Sequence, residues 1–350
     1  MAVFEHPDFD KHEQVAFFSD KKTGLKAIIA VHNTNLGPSL GGCRMWPYEN
    51  TAAALKDVLR LSKGMTYKAA MAGLPQGGGK AVIIGDPRQH KTPDLMRAMG
   101  DCVNKLNGSY IIAEDSGISV SDINAMGERT PNVAGNFARF SLAHETSDGN
   151  PAPATAYGVF CGIKAAVAHK LSSDLKGKTV AIQGIGHVGL RLARHLHQAG
   201  AKLIVADIFE DNVQLAHSEF GAQIVAVEQI HQQECDVFAP CALGGAINEF
   251  SIDQIKAPIV AGAANNQLAD KSLDLALVTK NITYVPDYVI NAGGIIDIYY
   301  QRDEQGTAEI TKQKLEAIGD TVQEILVRAN KEQRGTEDVA NELAEQRFIN

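Results

Sequence analysis

No apolar run in the 350-residue chain approaches the ~20 residues a membrane span needs, which excludes a helical span. A surplus of positive charge is also missing. The 33 lysines and arginines stand against 41 aspartates and glutamates, so the net charge is −8. That balance favours solubility and argues against a broad surface for nucleic-acid phosphates. There is no C-x-x-C pair: Cys43, Cys102, Cys161, Cys235 and Cys241 are scattered and odd in number. A disulfide framework is not expected, nor is a metal site, and idle thiols in a reducing cytoplasm are. His195 and His197 stand at i,i+2, which on a helix points them to different faces and not to one metal. The opening MAVFEHPDFDKHEQ is polar and acidic, unlike a signal peptide. Internal repeats and low-complexity tracts are absent.

What remains is a globular composition, 45% hydrophobic and 21% charged, long enough for about two domains. In the first part, 26–32 (KAIIAVH) predicts a buried strand, and Thr51 is placed to cap a helix through 52–65. A glycine-rich turn at 77–79 then leads into a strand at 81–84, followed by a helix at 93–106 and a strand at 110–115. Residues 141–153 (SLAHETSDGNPAP) are polar and rich in turn formers, as a hinge would be. After them the rhythm is helical at 155–170, 187–199 and 211–220. Strands at 179–183, 202–207, 235–239 and 259–263 alternate with these. Alternating β and α elements imply a parallel sheet covered on both faces. The expected fold is therefore α/β in two domains, 1–145 and 146–330. The second is a doubly wound, Rossmann-type domain, and a helical tail at 331–350 docks back on the first.

Gly184-Ile185-Gly186-His187-Val188-Gly189 is a G-x-G-x-x-G that follows the strand TVAIQ and opens a helix. The first glycine permits a tight turn, the second lets a pyrophosphate approach the backbone, and the third lets helix pack on strand. The helix N-terminus adds attraction for the phosphate charge. Asp207, 23 residues after Gly184, ends the next strand where a carboxylate bonds the adenosine ribose hydroxyls. Ile208, Phe209, Glu210 and Asp211 offer no cation for a 2′-phosphate, so the expected cofactor is NAD and not NADP.

Two lysines stand out. Lys80 follows three glycines and precedes Ala81, Val82, Ile83 and Ile84, so its stem enters a buried strand. Lysine there loses hydration, the condition that lets an amine act as a base. The glycines would let a substrate approach the backbone. A phosphate loop fails, because that pattern needs glycine where Leu74 stands and Ser or Thr where Ala81 stands. Lys68 and Asp115 could join Lys80 as a carboxylate-binding cation, a base and a proton acceptor.

These residues sit in a series of longer motifs. They are LGPSLGGCRMWPY (36–48), GMTYKAAMAGL (64–74), GGGKAVIIGDP (77–87), AED (113–115), APCALGG (239–245), AGAANNQL (261–268) and PDYVINAGG (286–294). Together they resemble the glutamate/leucine/phenylalanine/valine dehydrogenase superfamily over nearly the whole chain, with the leucine-type members nearest. The resemblance implies roles. Lys68 would hold the substrate carboxylate, Lys80 would activate water, and Asp115 would exchange protons with the amino group. Gly41, Gly42 and Met65 would lie beside the substrate. Asn265 and Thr155 would lie near the nicotinamide, and His187, Val188, Cys241 and Ala242 along the cofactor. The implied reaction is oxidative deamination of an L-amino acid by NAD.

In such a family a polar substrate side chain needs a deep cation. The expected lining of Leu40, Ala113, Ala134, Val289 and Ala292 is uncharged, which favours an aliphatic side chain. Ala134 and Cys43 stand where leucine-type members commonly have threonine, and GGGK replaces their GGAK. Leucine, valine, isoleucine and an aromatic residue thus stay open, and phenylalanine- or tryptophan-type dehydrogenases are the alternative. An inactive NAD-binding regulatory protein is a third reading, against which Lys68, Lys80 and Asp115 all speak. The resemblance further implies a homo-oligomer, dimer or octamer, acting on small molecules without nucleic acid or membrane.

Overall fold

The computed structural model describes residues 3–141 and 150–349. Residues 142–149 of the expected hinge, and with them the boundary at 145, lie outside the described residues. The first part of the chain holds β1 (Gln14–Asp20), β2 (Leu25–Asn33), β3 (Ser39–Trp46), α1 (Thr51–Met71), β4 (Gly77–Ile84), α2 (Pro93–Asn104), β5 (Tyr110–Glu114) and α3 (Val120–Gly127). Its sheet runs β1-β2-β4-β3-β5, antiparallel through β1, β2 and β4 and parallel through β4, β3 and β5. Alternation along the strands splits the core. Ile28, Ala30 and Val82 face Leu55, Val58 and Leu59 of α1, while Ala27, Ile29, Ala81 and Ile83 face Met96, Met99, Ile123 and Met126 of α2 and α3.

The structure corrects three local expectations. The cap of α1 is Asn50, whose Oδ1 accepts from the Ala53 N–H at 2.9 Å, and not Thr51, which is already helical. Strand β3, unread in LGPSLGGCRMW because two glycines interrupt its apolar run, sits inside the sheet between β4 and β5. The glycines at 77–79 do not form a turn but the buried start of β4. Space beside them is filled by protein and not left for substrate. A Cβ on Gly78 would collide with the backbone nitrogen of Thr66 on α1, and one on Gly79 would stand 2.7 Å from the Tyr110 ring.

The second part holds α4 (Ala152–Leu171), β6 (Thr179–Gln183), α5 (His187–Gln198), β7 (Lys202–Ala206), α6 (Glu210–Phe220), β8 (Gln223–Ile224), β9 (Val237–Pro240), β10 (Ile259–Val260), α7 (Ser272–Thr279), β11 (Thr283–Tyr284), α8 (Asp287–Ile290), α9 (Gly293–Arg302), α10 (Ala308–Glu332) and α11 (Thr336–Ile349). The strand order β11-β10-β9-β6-β7-β8 is parallel throughout. It is the doubly wound order in which the winding reverses between β6 and β9, where such sheets bind ligands at their carboxyl ends. Among the described residues no helix is long and apolar enough to cross a membrane.

Helix α11 joins the two parts. At its start the Asp274 carboxylate of α7 accepts from the N–H groups of Thr336, Glu337 and Asp338 at 3.1, 3.0 and 3.2 Å. These are donors the first helical turn leaves without intrahelical partners. At its end Arg347 donates to the carbonyls of Ala70 and Met71, which close α1, at 3.3 and 3.1 Å. Tyr67 donates to Glu345 at 2.6 Å. The helix carrying Lys68 is thereby fixed from the chain's far end.

The close approach at Gly78 and Gly79 yields a ranking. Gly79→Ala should lower the urea midpoint by an amount worth ~1–3 kcal/mol, since an aromatic ring can yield. Gly78→Ala should cost more, because it meets backbone. Equal or reversed losses in denaturation of the two variants would contradict this account of β4.

Candidate active site

Lys80 lies in the middle of β4, paired with Ala30 of β2, and its side chain rises on the face that α1 covers. Only 6% of it is exposed. Burying an ammonium without a partner is costly, and the partner is Asp115, immediately after β5. Lys80 Nζ donates to Asp115 Oδ2 at 2.5 Å. The same oxygen accepts from Arg44 Nε of β3 at 3.2 Å. Burial pushes the Asp115 carboxyl upward, but the charges of Lys80 and Arg44 outweigh it and hold the group at about 2.

Lys68 stands in the last turn of α1, half-buried, where the helix C-terminus favours a cation. Desolvation nevertheless lowers it to about 8, the nearby charge of Lys80 adds to the fall, and Asp287 and Asp115 oppose it. Lys68 is thus within electrostatic reach of Lys80, Asp115 and Asp287. Gly41 and Gly42 of β3 lie where β4 and β5 close in. A Cβ at Gly41 would collide with the Gly79 carbonyl, and one at Gly42 would be 2.8 Å from Asp115 Cβ.

Beside this charged group is a small apolar cluster of Leu40, Ile111, Ala113 and Ala134, closed by Met65 of α1 and Ile298 of α9. It contains no charge. Leu40, Ala113, Ala134 and Met65 are thus together, as the motifs predict. Val289 and Ala292, 2% and 1% exposed, fall in the larger core that α1, α4 and α10 share. Ile298, four residues beyond the last expected motif, packs against the cluster, and Ile111 joins it from β5. Ile298 was not legible, because the stretch GGIIDIYY has no clear helical stripe to say which isoleucine faces the other part of the chain.

The nucleotide turn has the shape its glycines suggest. Gly184 has φ +94°, and a Cβ on Gly189 would collide with the Gly184 carbonyl, so the start of α5 presses on the end of β6. Beside Gly186 there is open space, with nothing within 4 Å of a would-be Cβ. His187 and Val188 follow in the first turn, exposed and half-buried. Asp207 ties the loop, its Oδ2 accepting from Ile185 N at 2.6 Å and its Oδ1 from Phe209 N at 2.9 Å. Across the reversal of winding, Cys241 N donates to the Gln183 carbonyl at 2.7 Å, and Ala242 lies against Gly184. Burial pushes the Cys241 thiol up to about 12. Asn265 is exposed, and its Oδ1 accepts from Asn291 Nδ2 at 2.7 Å. Asn291 Oδ1 is buried with no donor among the described residues. Thr155 donates to the Pro151 carbonyl at 2.8 Å and adjoins Gly294 of α9.

Two family models account for most of this chain. The Glu/Leu/Phe/Val dehydrogenase dimerisation domain matches residues 12–132, and the glutamate/leucine/phenylalanine/valine dehydrogenase domain matches 149–208 and 205–349. The chain belongs to the Glu/Leu/Phe/Val dehydrogenase family. Within the family it is 47% identical over 351 residues to a leucine dehydrogenase of Bacillus subtilis, covering 99% of this chain and 94% of that one. It is 46% identical over 352 residues to an L-tryptophan dehydrogenase of Nostoc punctiforme, covering 100% and 97%. The crystal structure of L-tryptophan dehydrogenase from Nostoc punctiforme superposes with a TM-score of 0.85 at 44% identity, over 97% of this chain and 96% of that one. A hetero-hexameric glutamate dehydrogenase from Thermus thermophilus, 22% identical, shares the fold with a TM-score of 0.75 over 96% and 88%.

The depressed carboxyl has a consequence for acid stability. A carboxylate whose folded value lies below its unfolded value stabilises the fold above the unfolded value and loses that contribution as pH falls. For Asp115 the window runs from about pH 4 down to about 2. The stability difference between the chain and its Asp115→Asn variant, measured by urea unfolding, should shrink by ~2 kcal/mol across that window. A difference that stays constant with pH would contradict the charge pairing.

Proposed function

We propose that the chain catalyses reversible, NAD-dependent oxidative deamination of an apolar L-amino acid to its 2-oxo acid and ammonia, with leucine preferred and valine and isoleucine accepted. One observation carries the proposal: two lysines and an aspartate in electrostatic contact adjoin an alkyl cluster that holds no charge. A substrate with a carboxylate and an ammonium at one end and an aliphatic side chain at the other matches both halves. A glutamate side chain would bury a carboxylate without a partner.

In this reading Lys68 binds the α-carboxylate and orients Cα. Asp115 attracts the substrate ammonium and takes its proton as Lys80 turns from the carboxylate to the substrate, since losing that cation raises the proton affinity of Asp115. Lys80 then activates the water that adds to the imine and stabilises charge on the resulting oxygen. Leu40, Met65, Ala113 and Ala134, joined by Ile111 and Ile298, contact the side chain. Gly41 and Gly42, whose missing side chains let the Gly79 carbonyl and Asp115 close in, lie beside the substrate.

The nucleotide region fits NAD. Open space at Gly186, the α5 N-terminus and the Asp207 carboxylate suit a pyrophosphate and a ribose with no 2′-phosphate. Gly184, Gly186, His187, Val188 and Gly189 would hold the pyrophosphate and Asp207 the adenosine ribose. Thr155, Cys241, Ala242 and Asn265 would flank the nicotinamide end. When bound, NAD supplies the acceptor for the hydride leaving Cα. Residues 1–145 would form the substrate and subunit-contact domain, with 331–350 attached to it, and 146–330 the nucleotide domain. A homo-oligomer, dimer or octamer, in the cytoplasm is consistent with the dimerisation-domain match and with five unpaired cysteines.

A panel of L-amino acids with NAD and NADP tests the substrate. NADH should form fastest with leucine, then valine and isoleucine. Phenylalanine or tryptophan outpacing leucine would assign an aromatic substrate instead. Lys80→Ala should cut kcat by ~10²–10⁴-fold, while Lys68→Ala should chiefly raise the KM for the amino acid. A Lys80→Ala variant with normal kcat removes the proposed chemistry.

Lys68 also predicts a pH dependence. Its cation is needed for the carboxylate and is lost as pH rises through about 8. The dissociation constant of the 2-oxo acid should therefore be flat below that pH and rise ~10-fold per unit above it, the slope of a single titrating group. A constant that stays flat to pH 10 would separate Lys68 from carboxylate binding.

A further inference from the structure

Asp115 has a second cation that the proposed chemistry leaves without a task. Arg44 is on β3, opposite Val82 of β4, so its side chain rises on the same face as Lys80. Its guanidinium spans two carboxylates. Nε donates to Asp115 Oδ2 at 3.2 Å, and Nη1 donates to Asp57 Oδ2 of α1 at 3.0 Å. Asp57 is itself fixed, because the same Oδ2 accepts from Tyr48 OH at 2.6 Å and its Oδ1 accepts from Arg60 at 3.3 Å. Asp115 Oδ2 therefore carries both cations. Asp115 Oδ1 receives a long 3.4 Å bond from the Ser116 hydroxyl.

We propose that Arg44 is a positioning residue for Asp115: anchored by Asp57 and Tyr48, it holds Oδ2 of the carboxylate in place, so that Oδ1 stays turned to the substrate ammonium when Lys80 moves away. This rests on Asp115 being the group that meets the ammonium. Lys80 cannot serve both as the clamp on Asp115 and as the group that turns to substrate, whereas Arg44 is tethered on its far side and takes no part in the chemistry. Only a guanidinium can do this. Its planar fork presents donors to two carboxylates at once, where an ammonium is a single point of charge on a flexible stem.

Arg44 is also reachable from outside. It lines a cavity of about 750 Å³ bounded by Trp46, Tyr48, Lys56, Asp57 and Arg60. Removing its side chain opens that cavity towards Asp115, which makes chemical rescue the decisive experiment. Arg44→Ala should lower kcat about 10- to 100-fold, the scale of a misplaced catalytic group, with the KM for NAD unchanged. Millimolar guanidinium chloride should restore much of the loss, and sodium chloride at the same ionic strength should not. Arg44→Lys should recover less than guanidinium does. Lys56→Ala, in the same cavity but away from the clamp, should keep normal turnover and show no response to guanidinium.

A kcat for Arg44→Ala equal to that of the unaltered chain overturns the proposal. So does a loss that guanidinium leaves untouched while thermal unfolding shows a folded protein. Asp115→Asn in the same assay separates the two levels of argument. Turnover surviving there removes the role of Asp115 itself, whereas turnover lost there with Arg44→Ala intact removes only the positioning.

Discussion

The structure of the first domain turns on one buried ion pair. An ammonium and a carboxylate taken out of water must recover their hydration from each other, and they do so only at short range and with their remaining valences filled. Lys80 and Asp115 meet at 2.5 Å, which requires β4, β3 and β5 to be side by side with α1 pressed upon them. Side chains at 41, 42, 78 and 79 would hold those elements apart. The glycines of GGCR and GGGK are therefore the steric condition for the charge pair. Arg44 and Asp57 bring a second cation and a second anion, so the cluster closes near neutrality.

The pair also gives Lys80 a partner that Lys68 lacks. Lys80 has a carboxylate at bonding distance. Lys68 has only the more distant Asp287 and Asp115 to offset its desolvation, and it sits beside the charge of Lys80. A cation held at about 8 is one that a carboxylate ligand can restore, since an anion placed against it favours the charged form. On the proposed function, substrate supplies the missing partner, and binding energy goes into completing the charge set of the site.

Much of this was legible from sequence, and the exceptions share a cause. The strand before GIGHVG, the helix after it and the carboxylate at 207 are local features, each set by residues within one βα unit. Lys80 was conspicuous because an apolar strand follows it, and Asp115 because it ends one. What sequence did not reveal depends on tertiary contact. Nothing local says that three glycines run into a strand and not around a turn. Strand β3 hides behind its own glycine pair, and Asn50 caps α1 one residue ahead of an equally plausible threonine. Val289 and Ala292 lie in a motif that resembles the family closely, and they are buried in a core to which both α1 and the second domain contribute.

Ile298 shows where that limit matters for function. The alkyl cluster takes Leu40, Met65, Ile111, Ala113 and Ala134 from one part of the chain and its last member from α9, which belongs to the other. Helix α9 in turn is fastened to the segment leading out of the first domain, where the Gln301 side chain accepts from Arg139 N at 2.7 Å and donates to the Phe140 carbonyl at 3.0 Å. The helix that supplies Ile298 is thus tied to the chain at 139–140. On the proposed function, the substrate side chain packs against residues from both parts of the chain at once, so its fit depends on how α9 is held against β3 and β5.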